Sequence, residues 1–259
     1  MLKIIYLESK NPYWNLAYEN CLMLDSSRSA NDEYIVFYQN LAGIVVGRSQ
    51  EKEKEVFLNK LDQKKIGISV PKYCIRRFSG GGTVYHGRGN INYAVLLPLK
   101  KYPGLFAIHE SYHFILTNMI KALLSWQQLY SKGLCDISIK NKGYFRKVSG
   151  NAQYRKRNAI LHHGTFIIDN EPLAQISKYL RQPIVQPDYR ENRSHKDFLA
   201  SYIKPLNQHK FIQLISQYWS EVTSNNIKNY SYIKLSKEKM FNQYGTSEVW
   251  KNSITKLQH

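Results

Sequence analysis

The segment Arg76-Arg77-Phe78-Ser79-Gly80-Gly81-Gly82-Thr83-Val84-Tyr85-His86 lies between a basic, β-prone stretch, 71–75, and an apolar one, 91–98. Three consecutive glycines let the backbone turn sharply and approach a ligand without interference from Cβ atoms. Successive N–H groups in such a turn could bind an anion such as a phosphate. Ser79 adds a hydroxyl donor, and the planar guanidinium of Arg77 suits a carboxylate or phosphate. A flexible turn without a ligand is the alternative for the glycines alone.

Two later segments carry further motifs: Arg146-Lys147-Val148-Ser149-Gly150-Asn151-Ala152-Gln153 and Leu161-His162-His163-Gly164-Thr165. With the glycine segment, they resemble the lipoate–protein ligase family, which carries Arg-Arg-x-Ser-Gly-Gly-Gly, Lys-Val/Ile-Ser-Gly and His-His-Gly-Thr in this order. Asn11-Pro12 with Asn15-Leu16-Ala17 resembles the N-terminal signature of the family, and Gly47-Arg48-x-Gln50 resembles a further ligand-side motif. The likeness covers roughly residues 11–199, and the several segments in register make it specific as a set.

The composition indicates a globular protein with a strong basic excess. The 259 residues could form one large domain or two small ones, and a hydrophobic content of 43% allows a sizeable core. The 37 Lys and Arg residues against 19 Asp and Glu residues give a net charge of +18. Such an excess predicts an acidic partner: a nucleic acid, an anionic membrane face or an acidic protein. The 20 tyrosines are scattered without a ribonucleoprotein-type motif, so nucleic-acid binding is a minor interpretation.

The cysteines and the N-terminal residues indicate the cellular compartment of the protein. Cys21, Cys74 and Cys135 are odd in number and far apart, which argues against a disulfide framework or a zinc site and fits a reducing compartment. Residues 1–6 are too short and too quickly polar for a signal peptide, and no apolar run approaches a membrane span. We therefore expect a cytoplasmic protein.

Residue periodicity predicts alternating strands and helices. Asn11-Pro12 is typical of a helix start, and Cys21 follows at core spacing. Two β-prone runs, 34–38 and 43–46, predict a hairpin, and the charged stretch 51–63 predicts a solvated helix or loop. The remaining predictions are strands at 91–97, 137–139, 145–148 and 160–168, a turn at 141–143, and amphipathic helices at 109–124 and 211–222.

Strands that follow one another through short turns predict an α+β fold, with a mixed, largely antiparallel sheet flanked by helices. The resemblance implies the same architecture, that of the biotin/lipoate ligase fold, which is distantly similar to class II aminoacyl-tRNA synthetases.

Lys147 is the leading candidate for the chemistry. An ammonium placed where a carboxylate carbonyl and a phosphate meet can polarise the carbonyl and stabilise developing negative charge. It would act as an electrostatic clamp and not as a covalent nucleophile. A surface lysine beside a Ser-Gly turn is the alternative for a lysine chosen at random, but the resemblance places the family's ligand-contacting lysine at Lys147.

The resemblance also implies what surrounds the ligand. Asp136 ends Gly133-Leu134-Cys135-Asp136, which matches a Gly-x-x-Asp motif whose aspartate is associated with magnesium near the adenylate phosphate. A carboxylate suits a hard cation that keeps most of its waters. The residues expected at the ligand are Arg77, Ser79, Gly80, Gly81, Gly82, Thr83, Val84, Tyr85, His86, Lys147, Ser149, Gly150, His163 and Gly164.

The histidines are expected to pack or to line the pocket. His162 and His163 are adjacent on a predicted strand, so they should point to opposite faces and cannot share one metal ion. One should be packed and hydrogen-bonded, and the other should line the pocket. His86, at the exit of the glycine segment, could face the ligand.

Cys135 defines an alternative mechanism. Octanoyltransferases and lipoyl amidotransferases, which are related to the ligases, use a cysteine as the acyl-carrying nucleophile and need no ATP. A thiolate near Lys147 could have a lowered pKa and become reactive. Here Cys135 occupies a variable position inside the ligase-like Gly-x-x-Asp motif, so a structural cysteine is the preferred interpretation.

The later part of the chain departs from the family. Many members carry an accessory domain after the catalytic one, whereas here a polar, Lys-rich extension, 224–259, follows the catalytic domain, 1–223. Fewer than about 40 residues seldom build an independent core, so the extension should pack on the domain or trail from it.

Arg155 lies one residue later than the corresponding arginine of typical ligases. The polar cluster 186–195 could meet an acidic acceptor or brace a loop.

The leading hypothesis is an enzyme that attaches lipoate or octanoate, through an acyl-adenylate made with ATP and magnesium, to a lysine of an acidic acceptor. The resemblance implies lipoyl domains of E2 subunits or the glycine cleavage H protein as acceptors. The chain could activate lipoate alone, need a separate accessory-domain protein, or accept preformed lipoyl-adenylate. The alternatives are transfer through Cys135 without ATP and a basic nucleic-acid-binding module on an inactive scaffold; biotin is a lesser variant of the substrate.

Overall fold

The computed structural model describes residues 2–29, 32–61, 71–202, 207–224 and 230–258. Its strands are β1 Leu2–Leu7, β2 Glu33–Tyr38, β3 Gly43–Val46, β4 Tyr73–Arg76, β5 Val84–His86, β6 Asn90–Pro98, β7 Tyr130–Lys132, β8 Asp136–Asn141, β9 Tyr144–Lys156, β10 Ala159–Ile167 and β11 Tyr230–Leu235. Its helices are α1 Pro12–Ser29, α2 Lys52–Glu55, α3 Ile108–Leu123, α4 Glu171–Tyr179, α5 His195–Phe198, α6 Gln208–Ser224, α7 Lys237–Met240 and α8 Glu248–Gln258.

The strands form one large sheet and one small one. The large sheet has eight strands in the order β11-β1-β2-β6-β10-β9-β8-β7, and the small sheet has the order β4-β3-β5. In the large sheet, β11, β1 and β2 run parallel, while the pairs from β2 to β7 are antiparallel. The expected α+β architecture with a largely antiparallel sheet is confirmed.

The large sheet is buried on both faces by helices. On β2, Ile35 joins the core shared with α3 and α6, while its neighbour Val36 joins the core shared with α1 and α8. Successive strand residues point to opposite faces, so an almost continuous apolar run is required where both faces are covered. This arrangement explains why 91–97 is a nearly unbroken apolar segment, and the strand predicted there is confirmed as β6.

The predicted hairpin between 34–38 and 43–46 is wrong. Both segments are strands, but β2 lies in the large sheet between β1 and β6, and β3 lies in the small sheet between β4 and β5. Each strand already has a neighbour on both edges, so the two cannot pair with each other. Between them Leu41 donates its N–H to the Lys10 carbonyl oxygen at 2.8 Å as the chain passes from one sheet to the other.

The hairpin around 141–143 is confirmed, and its strands are longer than predicted. Lys142 and Gly143 both have positive φ, 49° and 85°. That combination is typical of the two-residue turn whose twist matches an antiparallel pair. The turn therefore allows β8 and β9 to pair along their length, including the part of β9 that carries Lys147.

Residues 230–258 pack against the rest of the described chain. β11 adds a parallel edge strand to β1, and α8 lies against α1. Trp250 of α8 is buried and meets the Trp14 ring edge-on at 5.2 Å between centroids. The domain boundary at 223 stays a prediction.

Two further predictions concerned the charged stretch 51–63 and membrane-spanning segments. Of the stretch 51–63, α2 and a turn at Leu58–Lys60 are present, and residues 62–63 lie outside the described residues. Among the helices of the described ranges, none combines the length and the apolar character needed to cross a bilayer.

Candidate active site

The glycine segment forms a loop that joins β4 to β5 in the small sheet. The Arg77 guanidinium is buried inside this loop. Its Nε donates to Ser79 Oγ at 2.9 Å, and Nη2 donates to the carbonyl oxygens of Gly80 and Gly82 at 2.6 and 2.8 Å. Nη1 donates to the Val45 carbonyl oxygen at 3.2 Å. The guanidinium therefore braces the loop, and the expected contact of Arg77 with a carboxylate or phosphate stays a prediction.

This bracing sets the direction of the loop N–H groups. In a trans peptide, a carbonyl and the following N–H point in opposite directions. Since the carbonyls of Gly80 and Gly82 point at the guanidinium, the N–H groups of Gly81 and Thr83 point away from it. Gly81 has a φ of 84°, which favours glycine. These two N–H groups are therefore not turned towards the buried cation, and the anion-binding role of the loop stays a prediction.

The Gly47-Arg48-x-Gln50 motif supports this loop. The Arg48 N–H donates to the Ser79 carbonyl oxygen at 2.9 Å. A Cβ added at Gly47 would lie 1.8 Å from the Gly81 carbonyl oxygen, so a side chain there would displace the loop. The motif contributes to the site by placing the glycine loop.

Lys147 and Asp136 form an ion pair at the site. Lys147 Nζ lies 2.7 Å from Asp136 Oδ1. The Tyr189 hydroxyl donates to Asp136 Oδ2 at 2.8 Å, so both carboxylate oxygens have a partner. Asp136 is buried, whereas a quarter of the Lys147 side chain, 25%, is exposed. The ammonium is therefore held in place and still accessible.

Two local features of β9 place the Lys147 ammonium. A register shift between β8 and β9 pairs Ser138 with Lys147 and Ile137 with Ser149, which leaves one extra residue on β9. Such bulges redirect side chains and are frequent beside active sites. A Cβ added at Gly150 would lie 2.7 Å from Lys147 Nζ, so the glycine leaves room for the ammonium.

The two adjacent histidines point to opposite faces of β10, as predicted. His163 Nε2 lies 2.6 Å from Ser79 Oγ, and its Nδ1 lies 2.7 Å from Glu19 Oε2 on α1. His162 packs edge-on against Tyr112 on the opposite face. Burial lowers the pKa of His162 to about 3, so this imidazole is neutral at physiological pH.

His86 is also buried, and it contacts the cavity wall. Its Nδ1 lies 2.9 Å from Asn40 Nδ2, which donates to it. Burial, and then the charge of Arg77, lower the pKa of His86 to about 3. A neutral imidazole fits a hydrogen-bonding role in the wall.

Cys135 lies beside the ion pair with its thiol protonated. Its Sγ is 3.7 Å from Asp136 Oδ1. Burial, and next the charge of Asp136, raise the pKa of the thiol to about 11, although the ammonium of Lys147 acts in the opposite direction. The raised pKa of the thiol therefore favours the structural interpretation of this cysteine.

One cavity of about 790 Å³ brings these groups together. The residues predicted at the ligand that line it are Arg77, Gly81, Gly82, Thr83, Val84, Tyr85, His86, Asp136, Lys147, Ser149, Gly150, His163 and Gly164. Ser79 and Gly80 are not in its lining; Ser79 is buried beneath the loop. The roles of all these residues stay predictions.

Several buried polar atoms of the lining have no hydrogen-bond partner within the described residues. They are Thr83 Oγ1, Asn90 Oδ1 and Nδ2, Asn92 Oδ1, Thr165 Oγ1 and Gln186 Oε1. Unpaired buried polar atoms cost free energy, so these atoms call for water or a polar ligand in the cavity. Sequence reasoning missed Asn90 and Asn92 because an isolated asparagine in an apolar strand carries no motif.

The cluster 186–195 contributes through Tyr189, while its arginines brace backbone. Arg193 donates to the carbonyl oxygens of Phe145 and Tyr189. Arg190 is buried and donates to the Arg193 carbonyl oxygen at 3.0 Å. Arg155 donates to the carbonyl oxygens at Leu105 and Phe106 and does not line the cavity. Of the two roles predicted for this cluster, the structure provides the bracing one.

The side chains of the cavity fit one mode of binding a magnesium ion. Within the described ranges, no group of three or more His, Cys, Asp or Glu side chains is placed to hold a metal ion. Mg²⁺ in phosphate sites is commonly held by one or two carboxylates plus substrate phosphates, and keeps several waters. Asp136 offers one carboxylate to the cavity, which fits that mode of binding.

Known proteins are similar to this chain in sequence and in fold. A probable lipoate–protein ligase A of Mycoplasma pneumoniae is 30% identical over 226 residues, which cover 85% of this chain but only 62% of that protein. A bi-partite lipoate protein ligase of Thermoplasma acidophilum, described with its E2 lipoyl domain, superposes with a TM-score of 0.70 at 19% identity, covering 99% and 97% of the chains. A lipoate–protein ligase A with bound ATP gives a TM-score of 0.68 at 18% identity, covering 98% and 93%.

The solved structures are less than 20% identical to this chain, so they show only that the fold is shared. The match to a family model identifies the family. Residues 11–220 match the model described as the lipoyl protein ligase A/B catalytic domain. This chain therefore belongs to the lipoyl protein ligase A/B catalytic domain family.

Proposed function

We propose that the chain attaches lipoate or octanoate to a lysine of an acceptor protein through an acyl-adenylate. The observation that carries the proposal is the cavity in which the glycine loop, the Lys147–Asp136 pair and an apolar wall meet. Val45, Ile176 and Leu180 belong to that wall and would hold the acyl chain. A related ligase of known structure binds ATP, which supports the adenylate route.

Each group in the cavity has a part in this proposal. The N–H groups of Gly81 and Thr83 would bind the phosphate of the adenylate. The Lys147 ammonium would contact the acyl carbonyl and the phosphate and stabilise negative charge as the acceptor amine attacks. AMP is then a good leaving group, so the residues mainly orient the reactants.

Magnesium would be held by Asp136 together with phosphate oxygens and water. The ion would supply neutralisation of phosphate charge during activation. The Tyr189 hydroxyl, which donates to Asp136 Oδ2, would keep the carboxylate oriented.

The proposed acceptors are acidic lipoyl domains of E2 subunits or the glycine cleavage H protein. The net charge of +18 supports an acidic protein partner. The Thermoplasma neighbour is a bi-partite ligase described with its E2 lipoyl domain. A separate accessory-domain protein could therefore complete the activation step here as well. Nucleic-acid binding and the cytoplasmic location stay predictions.

Transfer through Cys135 without ATP is the second candidate. The position of Cys135 in the cavity favours it, and the raised pKa of the thiol opposes it. A Cys135→Ser variant distinguishes the two routes, since the adenylate route keeps its activity in this variant and the thioester route loses it.

The decisive experiment mixes the protein with lipoate, Mg-ATP and an apo lipoyl domain, and weighs the acceptor by mass spectrometry. A lipoyl-sized gain that requires ATP is expected for a self-sufficient ligase. A parallel reaction starts from synthetic lipoyl-adenylate. A gain in that reaction alone assigns activation to a partner protein, and no gain in either reaction contradicts the adenylate proposal.

A further inference from the structure

A continuous line of buried side chains connects helix α1 to the glycine loop. Glu19 Oε2 lies 2.7 Å from His163 Nδ1, His163 Nε2 lies 2.6 Å from Ser79 Oγ, and Ser79 Oγ lies 2.9 Å from Arg77 Nε. All four side chains are buried. We call this line the Glu19–Arg77 relay.

The hydrogen bonds of the relay have one consistent direction. The Glu19 carboxylate can only accept, so His163 carries a proton on Nδ1. When Nε2 carries no proton, it accepts from the Ser79 hydroxyl. The Ser79 oxygen remains free to accept from Arg77 Nε–H, and Arg77 Nη2 donates to the carbonyl oxygens of Gly80 and Gly82. Each group has the partner that its chemistry requires.

The relay also balances charge inside the protein. Arg77 is buried, and an uncompensated buried cation is costly. Glu19 is reached through the His163 and Ser79 side chains and supplies a buried carboxylate. Burial lowers the pKa of Arg77 to about 10, and Glu19 is the last, after Tyr112, Cys135 and Tyr38, of the groups that act in the opposite direction. The Tyr38 hydroxyl donates to the second Glu19 oxygen at 2.7 Å, which holds the carboxylate in place.

We infer that Glu19 and His163 are positioning residues, which act through Ser79 and Arg77 to hold the glycine loop in its anion-binding form. Neither residue needs to touch the reacting atoms. The inference rests on the proposed function for its kinetic consequence, because that function assigns the loop to the adenylate phosphate.

A control with the same chemical change, at an exposed position, lies on the same helix. Asp25 of α1 also accepts a tyrosine hydroxyl, that of Tyr244 at 2.6 Å, and it is not in the lining of the cavity. Glu19→Gln and Asp25→Asn therefore make the same chemical change, one inside the relay and one outside it. Tyr38→Phe is a milder variant, which removes only a support of Glu19.

The first measurement is amide hydrogen exchange of segment 77–83 in the protein without ligands. We expect Glu19→Gln to exchange several-fold faster than wild type in this segment, and Asp25→Asn to match wild type. If Glu19→Gln does not fold, Tyr38→Phe takes its place, with a smaller increase expected. Equal exchange in the relay and control variants overturns the relay, and this readout needs no enzyme activity.

The second measurement is steady-state transfer to an apo lipoyl domain. Glu19→Gln should raise KM for ATP roughly tenfold, about 1.4 kcal/mol, while Asp25→Asn leaves KM unchanged. In a Ser79→Ala background, the effect of Glu19→Gln should largely disappear, because the relay is already broken. Fully additive effects contradict the relay. A wild-type protein without transfer activity contradicts the proposed function, and the exchange experiment then decides on the relay alone.

Discussion

At the scale of single residues, the ion pair between Lys147 and Asp136 is the group on which the proposed chemistry depends. Its geometry needs a lysine, a carboxylate and the absence of a side chain at Gly150. The motif Lys-Val-Ser-Gly therefore has a physical basis: the bulge redirects the lysine, and the glycine leaves the space that the ammonium occupies.

Gly150→Ala should lower acyl transfer strongly with little loss of stability. The new Cβ would meet only the flexible end of Lys147, so the lysine can move away from Asp136 while the strand stays intact. A displacement of about 1 Å can cost ~10²-fold in rate. Transfer assays and thermal melting check this. Gly104→Ala is the control, since a Cβ there meets nothing within 4 Å. Wild-type activity of Gly150→Ala would contradict the role of Lys147.

Alkylation of Cys135 by iodoacetamide should be slow at neutral pH and accelerate as the pH approaches 11. Burial raises the pKa of this thiol to about 11, so about one thiol in a thousand is ionised at pH 8. Peptide mass spectrometry follows the modification, with a free small-molecule thiol as the reference. Rapid alkylation at pH 7 that abolishes transfer would instead support the thioester route.

At the scale of elements, the small sheet determines the shape of the glycine loop. β3 lies between β4 and β5, and the residues that follow it, Gly47 and Arg48, contact the loop directly. The loop is thus held by a neighbouring strand as well as by its own Arg77.

Gly47→Ala should impair ATP use. The added Cβ would lie 1.8 Å from the Gly81 carbonyl oxygen, which is backbone and cannot rotate away. We expect a lowered melting temperature together with a KM for ATP raised at least ~10-fold, since binding at the loop depends on its backbone geometry. A KM equal to that of Gly104→Ala would show that the loop does not contact the nucleotide.

Trp250→Ala should destabilise the protein by ~3–5 kcal/mol, because it removes a large buried side chain that packs on α1. Chemical denaturation measures the effect. Lys251→Ala is the neighbouring control, since its ion pair with Glu248 is exposed, and exposed pairs contribute little. Similar losses in the two variants would show that α8 is not part of the core.

At the scale of the whole molecule, the charge of +18 concerns the acceptor more than the fold. Charge of one sign accelerates the encounter with a partner of opposite sign, and salt screens that attraction. The ion pair at the site involves only neighbouring residues, whereas the excess of Lys and Arg over Asp and Glu is spread over the chain.

Transfer to the apo lipoyl domain should therefore fall as salt rises. Between about 50 and 300 mM salt, kcat/KM for the acceptor should drop several-fold, up to ~10-fold, because long-range attraction is screened beyond about 10 Å. Adenylate formation, followed by pyrophosphate release, is the internal control and should change less. An acceptor rate independent of salt would exclude electrostatic steering.

Much of the architecture could be predicted from the sequence because local patterns decide it. The nearly unbroken apolar run 91–97 identifies β6, and the 3.6-residue period identifies α3 and α6. The turn at Lys142-Gly143 identifies the hairpin of β8 and β9. The hairpin predicted for β2 and β3 was wrong because strand pairing is not a local property. Two strands close in sequence can join different sheets when each has better neighbours.

The sequence by itself determined the family, the motifs and the types of residue at the candidate site, since glycines, a lysine and an aspartate in fixed spacing restrict the chemistry of a ligand. Tertiary structure decided which groups meet. Glu19 and His163 are 144 residues apart, and only the packing of α1 on β10 brings them together. Tertiary structure also makes Arg77 a brace of its own loop, because the buried guanidinium donates to the carbonyl oxygens of Gly80 and Gly82, while its contact with a ligand stays a prediction.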